Sequence, residues 1–267
     1  MSFVESVVTN LVANIAFWLL LGAAFLVGGR QVERRMVRFF AMHRSRRIDV
    51  YLSNTALPRP DGRPRYSLSL HEFHAAQAVD KLVGAAPLRL PELVRGLVDG
   101  IWLRRRISSR VAVSQAANGA ELTDSCIVVG SGARNLLRRF AVMEGIARAT
   151  IVRELSTDLA SHAVGEEVEV AITVGDGGQQ SIKAVKNIAV IEKSTRPDGG
   201  AAAFYCLGVR ADTSWVAVEY LVRNWRRLAK QFKDEDFIIV LGSAWEADYF
   251  ADYPEPTLLA AVRVPRS

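Results

Sequence analysis

The sequence predicts an α/β protein: a Rossmann-like, mostly parallel sheet with helices on both faces and an antiparallel extension, preceded by one transmembrane helix. Three observations carry this. An uncharged apolar run stands near the N-terminus, strand and helix signals alternate after it, and several strand signals follow one another between 149 and 209. Composition already excludes whole classes. Of 267 residues 50% are hydrophobic and 23% charged, with two cysteines and a formal net charge of +6. Such apolar content excludes global disorder, and so few cysteines exclude a disulfide-stapled secreted module.

The charge is unevenly placed. From Arg30 to Arg110 there are 17 Lys or Arg against 7 Asp or Glu, whereas Val111 to Ser267 holds 17 against 20. The basic third begins where the apolar run stops, as the flank of a membrane helix would.

After a short tail (1–5), Ser6 to Gly29 runs 24 residues without a charge. About 20 apolar residues cross a bilayer core as a helix, so this run is long enough to span. A secretory signal peptide needs a basic n-region, and the only charged side chain before the run is Glu5. Arg30, Arg34, Arg35, Arg38, Arg44, Arg46 and Arg47 crowd the basic juxtamembrane segment 30–47. Positive flanks stay inside, which predicts an outside N-terminus and a cytoplasmic domain over 48–267 at the cell membrane. Val32, Met36, Phe39 and Phe40 recur at helical spacing among the arginines, a pattern suited to anionic headgroups. Gly22, Ala23 and Ala24 permit close helix approach and hence a homo-oligomer.

In the domain, Ile48–Ser53 reads as a first strand, and the prolines and glycine of 58–64 as an exposed loop. Ser69 with Glu72 makes a capping box that opens a helix to about Leu82, its face carried by Leu70, Phe73, Ala76, Val79 and Leu82. A second helix is predicted over Pro91–Ile107. Short strands follow at Val111–Val113 and Cys126–Val129, then a helix with Leu136, Leu137 and Phe140. Further strands are read at Ala149–Leu155, Val168–Val174, Val185–Glu192 and Ala203–Val209. Ser214–Phe232 is a long helix with Val216, Tyr220, Leu221, Leu228 and Phe232 inward. Phe237–Leu241 and Leu258–Val264 complete the strands.

Two strand–loop–helix turns have the composition of ligand loops. In the first, Cys126–Val129 runs into Gly130, Ser131, Gly132, Ala133, Arg134 and Asn135. Its glycines let a ligand approach the backbone, and the helix start offers N–H groups to an anion. The spacing is GxGxxN rather than the dinucleotide fingerprint, and no acidic residue stands where a ribose would need one. In the second, Phe204–Leu207 meets Gly208, then Arg210, then Asp212 or Thr213 as helix cap. A third wall is assigned to Ser53, Asn54 and the loop before Ser69. Each turn also reads as a tight structural connection.

In order, VVGSGARN, VKNIAVIEKSTRP, YCLGVRADTSWVAVEYL and DFIIVL resemble uncharacterised bacterial Rossmann-like sensor or effector domains. Those domains carry a strand ending in Gly-Gly-Pro-x-x-Asn, an Asp-Tyr-Gly strand and a Gly-x-x-x-x-Thr helix start. The resemblance covers roughly 48–242. Ser131-Gly132 stands for Gly-Pro and Asn187-Ile188-Ala189 for Asp-Tyr-Gly, so only Gly130, Asn135, Gly208 and Thr213 carry over. It implies a ligand-sensing domain and no particular activity.

No cofactor or metal is expected, because His71, Glu72 and His74 lack the i,i+4 histidine spacing of a metal-binding helix. Cys126 and Cys206 lie in apolar strands as inert thiols, and no nucleophile elbow or P-loop occurs. The expected function is a single-pass, membrane-anchored sensor or effector that binds a nucleotide-like or other anionic small ligand in signalling. The alternatives are a hydrolase of nucleotide or glycoside bonds with Glu72 as its acid, and a nucleic-acid binder using the basic flank. The arginines need no nucleic acid to explain them.

Overall fold

The computed structural model describes residues 3–42, 45–53, 55–57, 65–67, 69–85, 107–113, 124–130, 135–152, 167–174, 178–185, 188–196, 201–242, 253 and 255–264. The chain opens with α1 (Phe3–Phe39), followed by β1 (Arg47–Leu52), the small hairpin β2 (Thr55–Leu57) and β3 (Arg65–Ser67), and α2 (Leu70–Ala85). Next come β4 (Ser108–Val113), β5 (Cys126–Val129), α3 (Leu136–Met143), β6 (Ala149–Val152), β7 (Glu167–Val174) and β8 (Gly178–Val185). The remaining elements are β9 (Ile188–Thr195), β10 (Ala202–Gly208), α4 (Ala211–Phe232), β11 (Asp236–Gly242) and β12 (Thr257–Val264). The predicted helix 91–107 falls almost wholly outside the described residues, as do Arg104–Arg106 and the 58–64 loop.

Seven strands form one sheet in the order β12-β11-β9-β10-β5-β1-β4. β4, β1, β5 and β10 are parallel neighbours, while β9, β11 and β12 continue by antiparallel pairing. Only β9 and β12 therefore oppose the common direction, which is the mixed, mostly parallel α/β sheet of a Rossmann-like architecture. A separate antiparallel sheet, β6-β7-β8, accounts for the crowded strand signals after 149. One strand assignment is corrected: Val185–Glu192 is not continuous, because Val185 ends β8 in the small sheet and Ile188 opens β9 in the large one.

The central strands are apolar throughout because both faces are covered. On one face Val50 and Leu52 of β1, Ile127 and Val129 of β5, and Phe204 and Cys206 of β10 pack with α2, α4 and the end of α1. On the other, Tyr51, Cys126, Val128, Ala203 and Tyr205 meet Leu137 and Ala141 of α3 and Ala149, Val170 and Ile172 of the small sheet. The period-2 alternation of strand side chains divides these two sets.

One helix face differs from expectation. In α2, Leu70 and Phe73 are half exposed, and the buried face is Ala75, Ala76, Ala78, Val79 and Val83. Small residues there let the helix axis lie close to the strands. In α3, Leu136 and Phe140 face outward, and Leu137, Arg138 and Ala141 face in. The inward set expected for α4 is buried in full.

The predicted anchor, 6–29, is the first part of the 37-residue helix α1. Val12, Ile15, Phe17, Leu20 and Val27 on it are 52–72% exposed, while other side chains, Trp18 and Leu19 among them, lie outside the described residues. Among the described residues no helix is long and apolar enough to cross a membrane. The apolar residues of the basic segment are not free for headgroups: Met36, Phe39, Phe40 and Met42 are each 1% exposed in the sheet's first core. Phe39 lies 5.4 Å from the Phe204 ring and 6.2 Å from that of Phe237. Arg46 pairs with Glu33, and Arg47 with Asp49 at 3.0 Å and Asp124 at 3.1 Å. Arg30, Arg34, Arg35 and Arg38 are exposed, and Arg44 lies outside the described residues.

A fully buried ion pair joins the layers of the second face. Arg138 Nη1 lies 2.9 Å from Glu192 Oε2, with both side chains 1% exposed. Glu192 also accepts from the backbone N–H groups of Arg148 (2.6 Å) and Ala149 (3.2 Å) and from the Ser194 hydroxyl (3.2 Å). Arg138 donates to the Ala149 carbonyl and stacks on Tyr205, 4.7 Å from the ring centroid. Arg138→Met leaves Glu192 buried without its cation and is expected to cost about 3–5 kcal/mol. Equilibrium denaturation of the detergent-solubilised chain checks this; a loss below about 1 kcal/mol contradicts it.

Candidate functional site

Parallel strands bring their carboxyl ends to one edge of the sheet, and there the connections from β1 and β5 part. β1 leads through α2, packed on the first face, to β4; β5 leads into α3, packed on the second. Where neighbouring connections diverge in this way a crevice opens, and open α/β sheets hold their ligands there.

Ser53, the residue after β1, is 5% exposed, and Glu72, in the first turn of α2, is 4% exposed. The Ser53 hydroxyl donates to Glu72 Oε1. Gly130, just past β5, lies directly against this pair. Its φ is +116°, and a Cβ built on it would stand 2.5 Å from Ser53 Oγ, 2.8 Å from Ser53 Cβ and 3.0 Å from Glu72 Oε1. The glycine is thus required twice, by backbone conformation and by contact. Its N–H donates to the Cys206 carbonyl at 3.1 Å, closing β5 against β10. Ser69 accepts from the His71 N–H at 3.3 Å, as the expected cap should, while the Glu72 carboxylate bonds Ser53 across the crevice.

The other predicted site residues separate by role. Asn135 is 0% exposed and bridges the ends of the β5–α3 turn. Its Nδ2 donates to the Val129 carbonyl at 3.0 Å, and its Oδ1 accepts from Leu137 N at 3.1 Å and Arg138 N at 3.4 Å. This asparagine caps α3. Ser131, Gly132 and Arg134, together with Asn54, lie outside the described residues.

At the second turn α4 starts at Ala211, earlier than expected, with Arg210 as N-cap in place of Asp212 or Thr213. Thr213 reaches back: its hydroxyl accepts from Arg210 N at 3.0 Å and donates to Arg210 O at 2.9 Å. Asp212 Oδ1 accepts from Thr213 N at 2.8 Å, and its other oxygen lies 3.4 Å from Arg210 Nε. Gly208 lets this turn fold tightly, since a Cβ there would collide with the Thr213 hydroxyl and the Ser214 N–H. Asp212 and Thr213 are buried, whereas the Arg210 side chain is 43% exposed.

Sequence reasoning missed one contributor, Trp215. Its indole lies 6.0 Å from the His71 ring and 6.1 Å from that of His74, and Tyr253 meets it edge-on at 6.2 Å. Burial pushes the His71 imidazole below its ordinary pKa, opposed by the Asp212 carboxylate and reinforced by His74 and Arg210. His71 is therefore neutral at physiological pH. Trp215 is five residues into α4, and only the packing of α4 beside α2 makes it a neighbour of His71, so no local spacing pointed to it.

The two thiols take no part. Burial pushes Cys126 up to about 12 and raises Cys206 further, so neither is a thiolate at neutral pH. Among the described residues no group of His, Cys, Asp and Glu is arranged to hold a metal ion. Compared with family models, with curated proteins and with solved structures, the chain matches none. The site offers a buried carboxylate and hydroxyl at its base, an imidazole–indole surface beside them, and a half-exposed guanidinium.

Gly130→Ala is expected to cost about 1–3 kcal/mol from the forced positive φ alone, with the Ser53 contact added. Adding Ser53→Gly in the same chain relieves only the contact, so denaturation should recover part of the loss and not all. Full recovery, or no initial loss, contradicts the geometry.

Proposed function

We propose that this chain is a membrane-tethered cytoplasmic sensor or effector whose α/β domain binds a nucleotide-like, anionic small ligand in the crevice between β1 and β5. One observation carries the reading. The connections of β1 and β5 diverge to opposite faces where Ser53, Glu72 and Gly130 meet, with Arg210 at the neighbouring turn to offset a negative charge. The exposed apolar side chains of α1 and the exposed Arg30, Arg34, Arg35 and Arg38 support the tether, with the arginines on the cytoplasmic side.

A second reading has its own observation. Glu72 is a carboxylate buried within the crevice, the placement of an acid that protonates a leaving group. On that reading the domain hydrolyses a nucleotide's glycosidic bond.

The two are separated in one assay. The full-length chain in detergent is screened by thermal shift against nucleoside mono- and diphosphates, and any ligand that binds is then followed for breakdown. Binding without breakdown is the expected result. Breakdown abolished by Glu72→Gln selects the hydrolase, and no shift from any nucleotide overturns both.

The tether is checked by alkaline carbonate extraction of membranes from cells expressing the whole chain. The protein should remain in the pellet, and Phe17→Lys with Leu20→Lys should move it to the supernatant. Wild-type protein in the supernatant contradicts the tether.

A further inference from the structure

The pattern of charge within the crevice restricts which part of a ligand sits where. A phosphate at the base would meet the Glu72 carboxylate, 4% exposed and so poorly screened, and like charges at short range in such surroundings repel strongly. An uncharged group with hydroxyl donors suits that place. A carboxylate offers about four acceptor positions, and a serine hydroxyl both gives and takes a hydrogen bond. Ser53 Oγ bonds Glu72 Oε1, so the two groups adjoin and adjacent hydroxyls of one sugar can address both.

Next to Glu72 in sequence, His71 turns a neutral ring toward Trp215, 6.0 Å away. Both residues are partly exposed, and flat, uncharged π surfaces of this kind take up the face of a heteroaromatic base. Arg210, at the start of α4, is 43% exposed and lies 3.4 Å from the Asp212 carboxylate, outside the buried base of the crevice. Carboxylate and aromatic wall thus adjoin, as ribose and base do in a nucleoside.

We infer that the ligand of this crevice is a ribonucleotide, its ribose hydroxyls received by Glu72 and Ser53 and its base lying against His71 and Trp215. This rests on the proposed ligand-binding reading and makes it specific. It also supplies the acidic ribose partner that the linear sequence lacks at the usual spacing: Glu72 reaches the place from the helix after the first strand.

The test uses the full-length chain in detergent with four ribonucleoside diphosphates, their 2′,3′-dideoxy counterparts and inorganic pyrophosphate, followed by calorimetric titration. At least one ribonucleotide should bind about tenfold or more tightly than its dideoxy form. Glu72→Gln should remove that difference while leaving dideoxynucleotide binding within about twofold, and Ser53→Ala should reduce it. Trp215→Leu should weaken ribonucleotides and leave pyrophosphate unchanged. Should Glu72→Gln fail to fold, the dideoxy comparison on the wild-type chain and Ser53→Ala still decide. Equal affinity for ribo- and dideoxynucleotides, or for pyrophosphate alone, overturns this inference and leaves an anion site standing. No binding of any of these compounds overturns the inference together with the reading beneath it.

Discussion

A guanidinium and a carboxylate sealed between two sheets and a helix fix the second face of this protein. Arg138 and Glu192 have lost their water, and such a pair is held in place less by its mutual attraction than by the cost of parting it. Glu192 reaches from β9 to the backbone at the start of β6, and Arg138 reaches from α3 to the Ala149 carbonyl and the Tyr205 ring. Four elements therefore share one electrostatic knot. Because Arg138 lies three residues after Asn135, the knot also locates the start of α3, and with it the far end of the turn that begins at Gly130. One wall of the crevice is set from inside the core.

The opposite wall is set by close approach. Gly130 admits the Ser53–Glu72 pair, and Gly208 admits the first turn of α4, so three strand ends and two helix starts share a space that larger residues would occupy. Asn135, Asp212 and Thr213 hold this framework through bonds to the protein itself. Ser53 and Glu72 bond each other beside Gly130, and His71 and Trp215 meet where α2 packs beside α4.

That division explains what was legible in the chain. Strands apolar on both faces announce themselves, and Cys126–Val129 was read to the residue. The inward side of α4 was equally plain, because large apolar residues recur there at helical spacing. α2 was misread for the converse reason: its large residues Leu70 and Phe73 face outward and its alanines pack inward, so size misled where closeness mattered. β8 carries Gln179, Gln180, Ser181 and Lys183 and gave no apolar signal, so its last residue was merged with β9. In the site, the glycine turns were visible as local chemistry. The meeting of Glu72 with Gly130 and of His71 with Trp215 depends on strand order, which local periodicity does not encode.

The end of α1 bears on the same framework. At a rise of about 1.5 Å per residue, a helix of this length extends for roughly 55 Å, and Met36 and Phe39 near its end are buried while its exposed apolar residues lie earlier. Phe39 touches Phe204 of β10 and lies 6.4 Å from Trp225 of α4. β10 and α4 flank the Gly208 turn, so the rod and the crevice bear on the same two elements from opposite ends. Contiguity of this kind is not yet coupling, which requires an element with two arrangements that both ends bias. Gly28 and Gly29 sit side by side inside the helix, where each costs about 1 kcal/mol relative to alanine and paired glycines favour a kink. A Cβ at Gly28 would meet nothing within 4 Å, so close packing does not require that glycine. Its effect at that position is to weaken the rod between the apolar run and the domain.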